Sequence, residues 1–129
     1  MLAVDTNVVV RLIVIDDELQ ARRARSLFDQ NLIFISKTVL LETEWVLRST
    51  YSLRPSDVHA HLSVMVGLSQ VRLEAPEQVA VALDWFEQGM DFADALHLAA
   101  ADDCEAFATF DRKLAVAARK AKAGKVKAL

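Results

Sequence analysis

Only one cysteine occurs among the 129 residues, Cys104, so no internal disulfide can form. A small buried apolar side chain is the expectation for it, ahead of a catalytic thiol. No apolar run approaches the ~20 residues needed to cross a bilayer, which argues against a membrane-spanning helix. Proline and glycine number two and three, and no stretch reads as a linker, an internal repeat or a low-complexity segment. One domain over residues 1–129 is therefore expected. The opening Met1-Leu2-Ala3-Val4-Asp5 has neither a basic leader nor a small-residue cleavage site. A cytoplasmic location without a membrane partner is the expectation. Metal-ligand patterns of cysteine or paired histidine are missing as well, which removes the usual zinc signatures.

Hydrophobic residues make up 53% and charged residues 26%, a balance suited to a folded globular protein and not to a disordered one. The chain is long enough for one sizeable core. A net charge of −3 does not advertise nucleic-acid binding, but the charge is unevenly placed. No acid follows Asp111, whereas Arg112, Lys113, Arg119, Lys120, Lys122, Lys125 and Lys127 do. Arg22, Arg23 and Arg25 form a second basic group. Each group can contact phosphate, but taken alone each is first expected to be a solvated helix face.

Short apolar runs alternate with amphipathic stretches. Buried strands are expected at Leu2-Ala3-Val4, Leu32-Ile33-Phe34-Ile35 and Ala106–Phe110, with shorter ones at Val71-Arg72-Leu73 and Val126–Leu129. Helices are expected after Thr6-Asn7, from Asp16 to Phe28, and from a Thr38 cap through Leu47, the last apolar on most sides. Ser56-Asp57 and Pro76-Glu77 open two more, the second stopped by Gly89. Asp91 caps an alanine-rich helix expected to reach Asp103, and a last helix runs from Asp111 to Lys122. This alternation predicts an α/β fold of three layers, α/β/α, with a short central parallel sheet and helices on both faces. Ligands in such folds bind beyond the carboxyl ends of the strands.

Four carboxylates stand out. Asp5 and Asp111 each directly follow a predicted strand, which suits either a helix cap or a ligand projecting into that crevice. Asp94 lies in the first turn of a helix whose other faces look buried, and an ionised carboxylate there needs a partner. Glu42 has Val39, Trp45 and Val46 as its helical neighbours. Glu44, about 200° round the same helix, has Arg48 one turn on as an ion-pair partner. Glu42 is thus the acid with no local explanation. His97, one turn from Asp94, suits a ligand, a supporting group or a core histidine. Oxygen-only ligand sets favour Mg²⁺, or Mn²⁺, over zinc. Such ions bind phosphate oxygens, so phosphodiester hydrolysis is the expected chemistry, with Thr6, Asn7 and Thr109 orienting carboxylates or metal-bound water.

The segments Val4-Asp5-Thr6-Asn7-Val8, Val39-Leu40-Leu41-Glu42 through Leu47, Gly89–Ala95 and Ala108-Thr109-Phe110-Asp111 resemble, in order, the four motifs of the PIN-domain family. Within it the chain resembles the VapC-like ribonuclease toxins of toxin–antitoxin pairs, over essentially its whole length. The resemblance implies a PIN-like fold and carries the four metal-binding acids onto Asp5, Glu42, Asp94 and Asp111, with Thr109 in support. It further implies a Mg²⁺- or Mn²⁺-dependent endoribonuclease that forms a homodimer and is inhibited by a small VapB-like antitoxin. Two other functions fit the residues without the resemblance. One is phosphoryl transfer with Asp5 as nucleophile, for which Asn7 stands where a second aspartate is usual. The other is a non-catalytic module whose acids dock a basic partner.

Overall fold

Side-chain oxygens placed just before apolar stretches set most of the helix starts. The computed structural model describes residues 1–129. The elements in chain order are β1 (Leu2–Ala3), α1 (Thr6–Ile13), α2 (Glu18–Gln30), β2 (Ile33–Ile35), α3 (Lys37–Ser49), α4 (Pro55–Val66), β3 (Val71–Leu73), α5 (Pro76–Glu87), α6 (Phe92–Ala99), β4 (Phe107–Thr109), α7 (Arg112–Lys120) and β5 (Val126–Ala128). Asp17, Ser36, Asp91 and Asp111 cap α2, α3, α6 and α7, each accepting from the backbone N–H three residues on. Ser36 takes the place expected for Thr38, because its hydroxyl reaches the Val39 N–H. At α4 the start falls one residue earlier than expected, with Pro55 in the first turn, where its missing N–H costs nothing. Helix α6 ends at Ala99, short of Asp103. Asp102 and Asp103 would otherwise add negative charge to the negative end of the helix dipole.

The chain divides into two compact units, Met1–Glu74 and Ala75–Leu129. In the first, β1, β2 and β3 form a parallel sheet in that order, with Leu2 opposite Ile33 and Ile33 opposite Val71. Ile33 and Ile35 on the central strand are fully buried, as are Val9, Leu47 and Leu62 from the helices around it. β1 pairs on one side only, and Leu2 and Ala3 are exposed where a buried strand was expected; Val4 is the buried residue. Helix α3 buries Leu40, Thr43, Glu44 and Leu47, while Trp45 is 56% exposed. It is therefore two-sided, not apolar on most sides as expected.

In the second unit, α5 packs on α6, and α7 packs on the parallel pair β4–β5. Strand pairing is thus carried by two short parallel sheets, in an α/β arrangement with seven helices, and the single central sheet expected from the alternation is shared out between them. Gly89 adopts φ 105, and the N–H groups of Gly89 and Met90 bond the carbonyls of Phe86 and Trp85. This closes α5 with a Schellman motif, in a conformation that glycine enters without steric cost. Two residues later the chain reaches Asp91 and starts α6. Phe92 is 1% exposed and its ring centroid lies 5.2 Å from that of Phe86, pinning the start of α6 to the end of α5. Phe92→Ala is expected to cost about 3–5 kcal/mol, and with it the placement of Asp94.

Candidate metal centre

Each unit brings two of the expected acids together. In the first unit Asp5 follows the carboxyl end of β1 and caps α1, accepting from the Thr6 N–H at 2.7 Å. Thr6 is buried, and its hydroxyl donates to Glu42 Oε1 on α3. One threonine therefore ties both carboxylates, through its backbone to Asp5 and through its side chain to Glu42. The second oxygen of each acid has no protein donor. Asp5, Thr6, Asn7 and Glu42 line a depression of about 320 Å³, with Val10, Arg11, Val46 and Tyr51 completing its wall.

In the second unit Asp111 follows the carboxyl end of β4 and caps α7, accepting from the Leu114 N–H at 3.1 Å. Its own N–H donates to the Thr109 hydroxyl at 2.9 Å, so that threonine meets the Asp111 backbone and not its carboxylate. Asp94 is half-buried in the first turn of α6, and its N–H donates to Asp91 at 3.1 Å. Neither of its carboxylate oxygens receives a hydrogen bond from the protein. Burial holds this carboxyl above the usual carboxylate range. The negative charges of Asp91 and Asp111 push it further in the same direction, and His97 opposes them. A partly desolvated carboxylate with two acidic neighbours and no donor is a group short of positive charge.

His97 is exposed, which removes the core reading of that residue and leaves the ligand and supporting readings open. Glu44 is 2% exposed and bonds Arg48 at 2.9 Å, the partner expected for it. Burial falls on Glu44, however, and Glu42 is exposed; Leu40 and Leu47 flank Glu44 and carry it inward with its ion pair. Cys104 is exposed in the turn after α6, and not buried as its residue type suggested.

In neither unit do three ligating side chains gather closely enough to hold an ion by themselves. The donor chemistry nonetheless fits a hard cation: aspartate and glutamate oxygens, three of the four acids with an oxygen to spare and the fourth with both. Arg11 is a site residue that no sequence pattern signalled. It lines the same depression as Asp5 and Glu42, and its Nη1 meets Tyr51 at 3.1 Å and Asp16 at 3.2 Å. Arg11 and Tyr51 are forty residues apart, a separation that no helical period reports.

The basic clusters split between depressions. Arg23 lines one with Arg11, Arg22 and Arg25 line another, and Arg112, Lys113 and Lys120 line a third beside Gly89. No helix is long and apolar enough to cross a membrane. No curated protein and no solved structure matches the chain. The family model described as PIN domain matches residues 2–120. With both acid pairs inside that span, Asp5 and Asp111 just past parallel strands, Asp94 in the first turn of α6 and Glu42 within α3, the chain belongs to the PIN-domain family.

Proposed function

We propose that the protein is a Mg²⁺- or Mn²⁺-dependent endoribonuclease, one domain over residues 1–129, with Asp5, Glu42, Asp94 and Asp111 as metal ligands. The observation that carries this reading is Asp94: a half-buried carboxylate with no hydrogen-bond donor, facing the charges of Asp91 and Asp111. The PIN fold is of nuclease type, and its members commonly act on RNA and typically bind divalent ions. A bound dication would stabilise charge on the phosphodiester and help ionise the attacking water. The protein's own part is to hold oxygen ligands in fixed orientations. Thr6 sets the direction of Asp5 and Glu42 together, and the Leu114 N–H at the α7 N-terminus sets that of Asp111, whose backbone N–H bonds Thr109. Asn7, exposed on the wall of the first depression, is placed to hold a water or a substrate oxygen there.

The order of the four motifs further supports the toxin of a VapBC-type pair, cytoplasmic, homodimeric and held inactive by a small VapB-like antitoxin. Purified protein incubated with total RNA, with and without chelator, is the direct test, with cleavage sites mapped at nucleotide resolution. Discrete cuts that appear only with Mg²⁺ or Mn²⁺ are expected. Intact RNA under every metal condition, from protein freed of any co-purifying partner, would reject the reading.

A further inference from the structure

The depression that holds Asp5 and Glu42 continues into a second one. Asn7 and Arg11 line both. The second has a volume of about 460 Å³ and is walled by Asn7, Val8 and Arg11 of α1 and by Gln20, Arg23, Ala24 and Leu27 of α2. The spacing explains the groove. Asn7 and Arg11 are one turn apart on α1, and residues 20, 23, 24 and 27 share one face of α2. The rim is polar, the floor is Val8, Ala24 and Leu27, and no carboxylate lines it.

Its two cations are arranged differently. Arg11 is clamped: Nε donates to Gln20 Oε1 at 2.7 Å, and Nη1 meets both Tyr51 and Asp16, which are themselves bonded at 2.7 Å. Its Nη2 has no protein partner. Arg23 is exposed and makes no ion pair or hydrogen bond with the protein.

We infer that this α1–α2 groove holds the nucleotide next to the scissile phosphate of a single-stranded RNA. Its phosphate lies on Arg11 Nη2 and Arg23, and its base lies on the apolar floor. A fixed guanidinium fork suits phosphate oxygens, and an apolar floor accepts a base only when that base is unpaired. The inference rests on the nuclease reading and names the side from which the strand approaches.

Equilibrium binding of a short labelled single-stranded RNA tests it in an Asp94→Asn background, where cleavage is strongly suppressed. Arg23→Gln is expected to weaken binding about tenfold and to lower the salt slope by about 0.7, one single-strand phosphate contact. Arg22→Gln is the control: it removes the same charge from the same helix but lies off the groove, beside Glu18 and Arg25. It is expected to stay within about twofold of the parent. Equal losses in the two variants would reduce the effect to net charge and overturn the groove. Photo-cross-linking of thiouridine-substituted RNA to the unsubstituted protein needs no variant. Adducts on the peptide holding Gln20–Leu27 are expected, and adducts confined elsewhere overturn the inference. A polyglutamate peptide that loses affinity for Arg23→Gln while RNA binding is unchanged would assign the groove to an acidic protein partner instead. Absence of cleavage by the unsubstituted protein defeats the nuclease reading, whereas unchanged RNA binding in Arg23→Gln defeats only the groove.

Discussion

The two acid pairs are held in opposite ways. In the Met1–Glu74 unit the pair is bonded: Thr6 donates to Asp5 with its backbone and to Glu42 with its side chain. In the Ala75–Leu129 unit the acids oppose one another. Asp111 has its cap and its threonine, but Asp94 has no donor and is pressed by Asp91 and Asp111. The first arrangement fixes geometry while leaving an oxygen of each acid free. The second stores unfavourable charge that a cation would relieve. A carboxylate pair can therefore be held by orientation or left in electrostatic need, and this chain has one of each, one in each unit.

The comparison breaks most visibly at Asp94. Asp94→Asn keeps the size and the backbone bond to Asp91 but removes the charge. RNA cleavage is expected to fall on the order of 10³-fold, several kcal/mol of transition-state stabilisation, with an unchanged circular dichroism spectrum. Wild-type cleavage by this variant would end the assignment. Next comes the exchange between the two glutamates of α3. Glu42→Gln is expected to lose cleavage about 10²-fold and little stability, because the residue is exposed. Glu44→Gln is expected to retain cleavage per folded molecule and to lose about 1–3 kcal/mol in urea unfolding, since a buried group loses its charged partner. Reversal of these two profiles would move the metal ligand to Glu44.

Thr6→Val removes the hydroxyl that orients Glu42 and nearly preserves shape. A loss of about 10–100-fold in cleavage is expected, alongside about 1 kcal/mol of stability. Thr6→Ser should restore most of the cleavage; a valine variant as active as wild type would show that Glu42 needs no orienting. The smallest effect concerns pH. The folded protein holds Asp94 above its ordinary value of 3.8. Stability from this group is thus complete below that value and is lost as pH rises through the raised folded-state value. Metal-free Asp94→Asn should melt above wild type at neutral pH, and the gap should close as pH falls toward 3.8. Saturating Mn²⁺ should reverse the order, because only wild type gains the full binding energy. Identical melting at every pH would remove the electrostatic need attributed to Asp94.

Much of this was legible in the chain because it is written locally. The caps at Asp91 and Asp111, the proline at the start of α5 and the glycine after it act within one turn, and the structure has them where the sequence indicates. The Glu44–Arg48 pair is a four-residue spacing and reads off directly. Burial was harder. Apolar neighbours made Glu42 look enclosed, but which side of α3 faces the core is decided by Leu40 and Leu47 packing against distant elements. Cys104 went the same way, since residue type states a tendency and position in a turn decides exposure. The Arg11–Tyr51–Asp16 cluster spans a helix, a loop and the bend after α3, so nothing short of the folded chain reveals it.

Asp5 and Asp111 begin helices as well as standing among the proposed metal ligands. A helix start asks only for a short side chain with an acceptor, which asparagine or serine supplies as well as aspartate does. Folding by itself therefore leaves these two sites indifferent between acid and amide. In a lineage that had abandoned hydrolysis, nothing would keep the proton-free acid there, and the two sites would drift to uncharged caps with the architecture intact. Reading those positions across sister sequences would sort working copies from retired ones without a single assay.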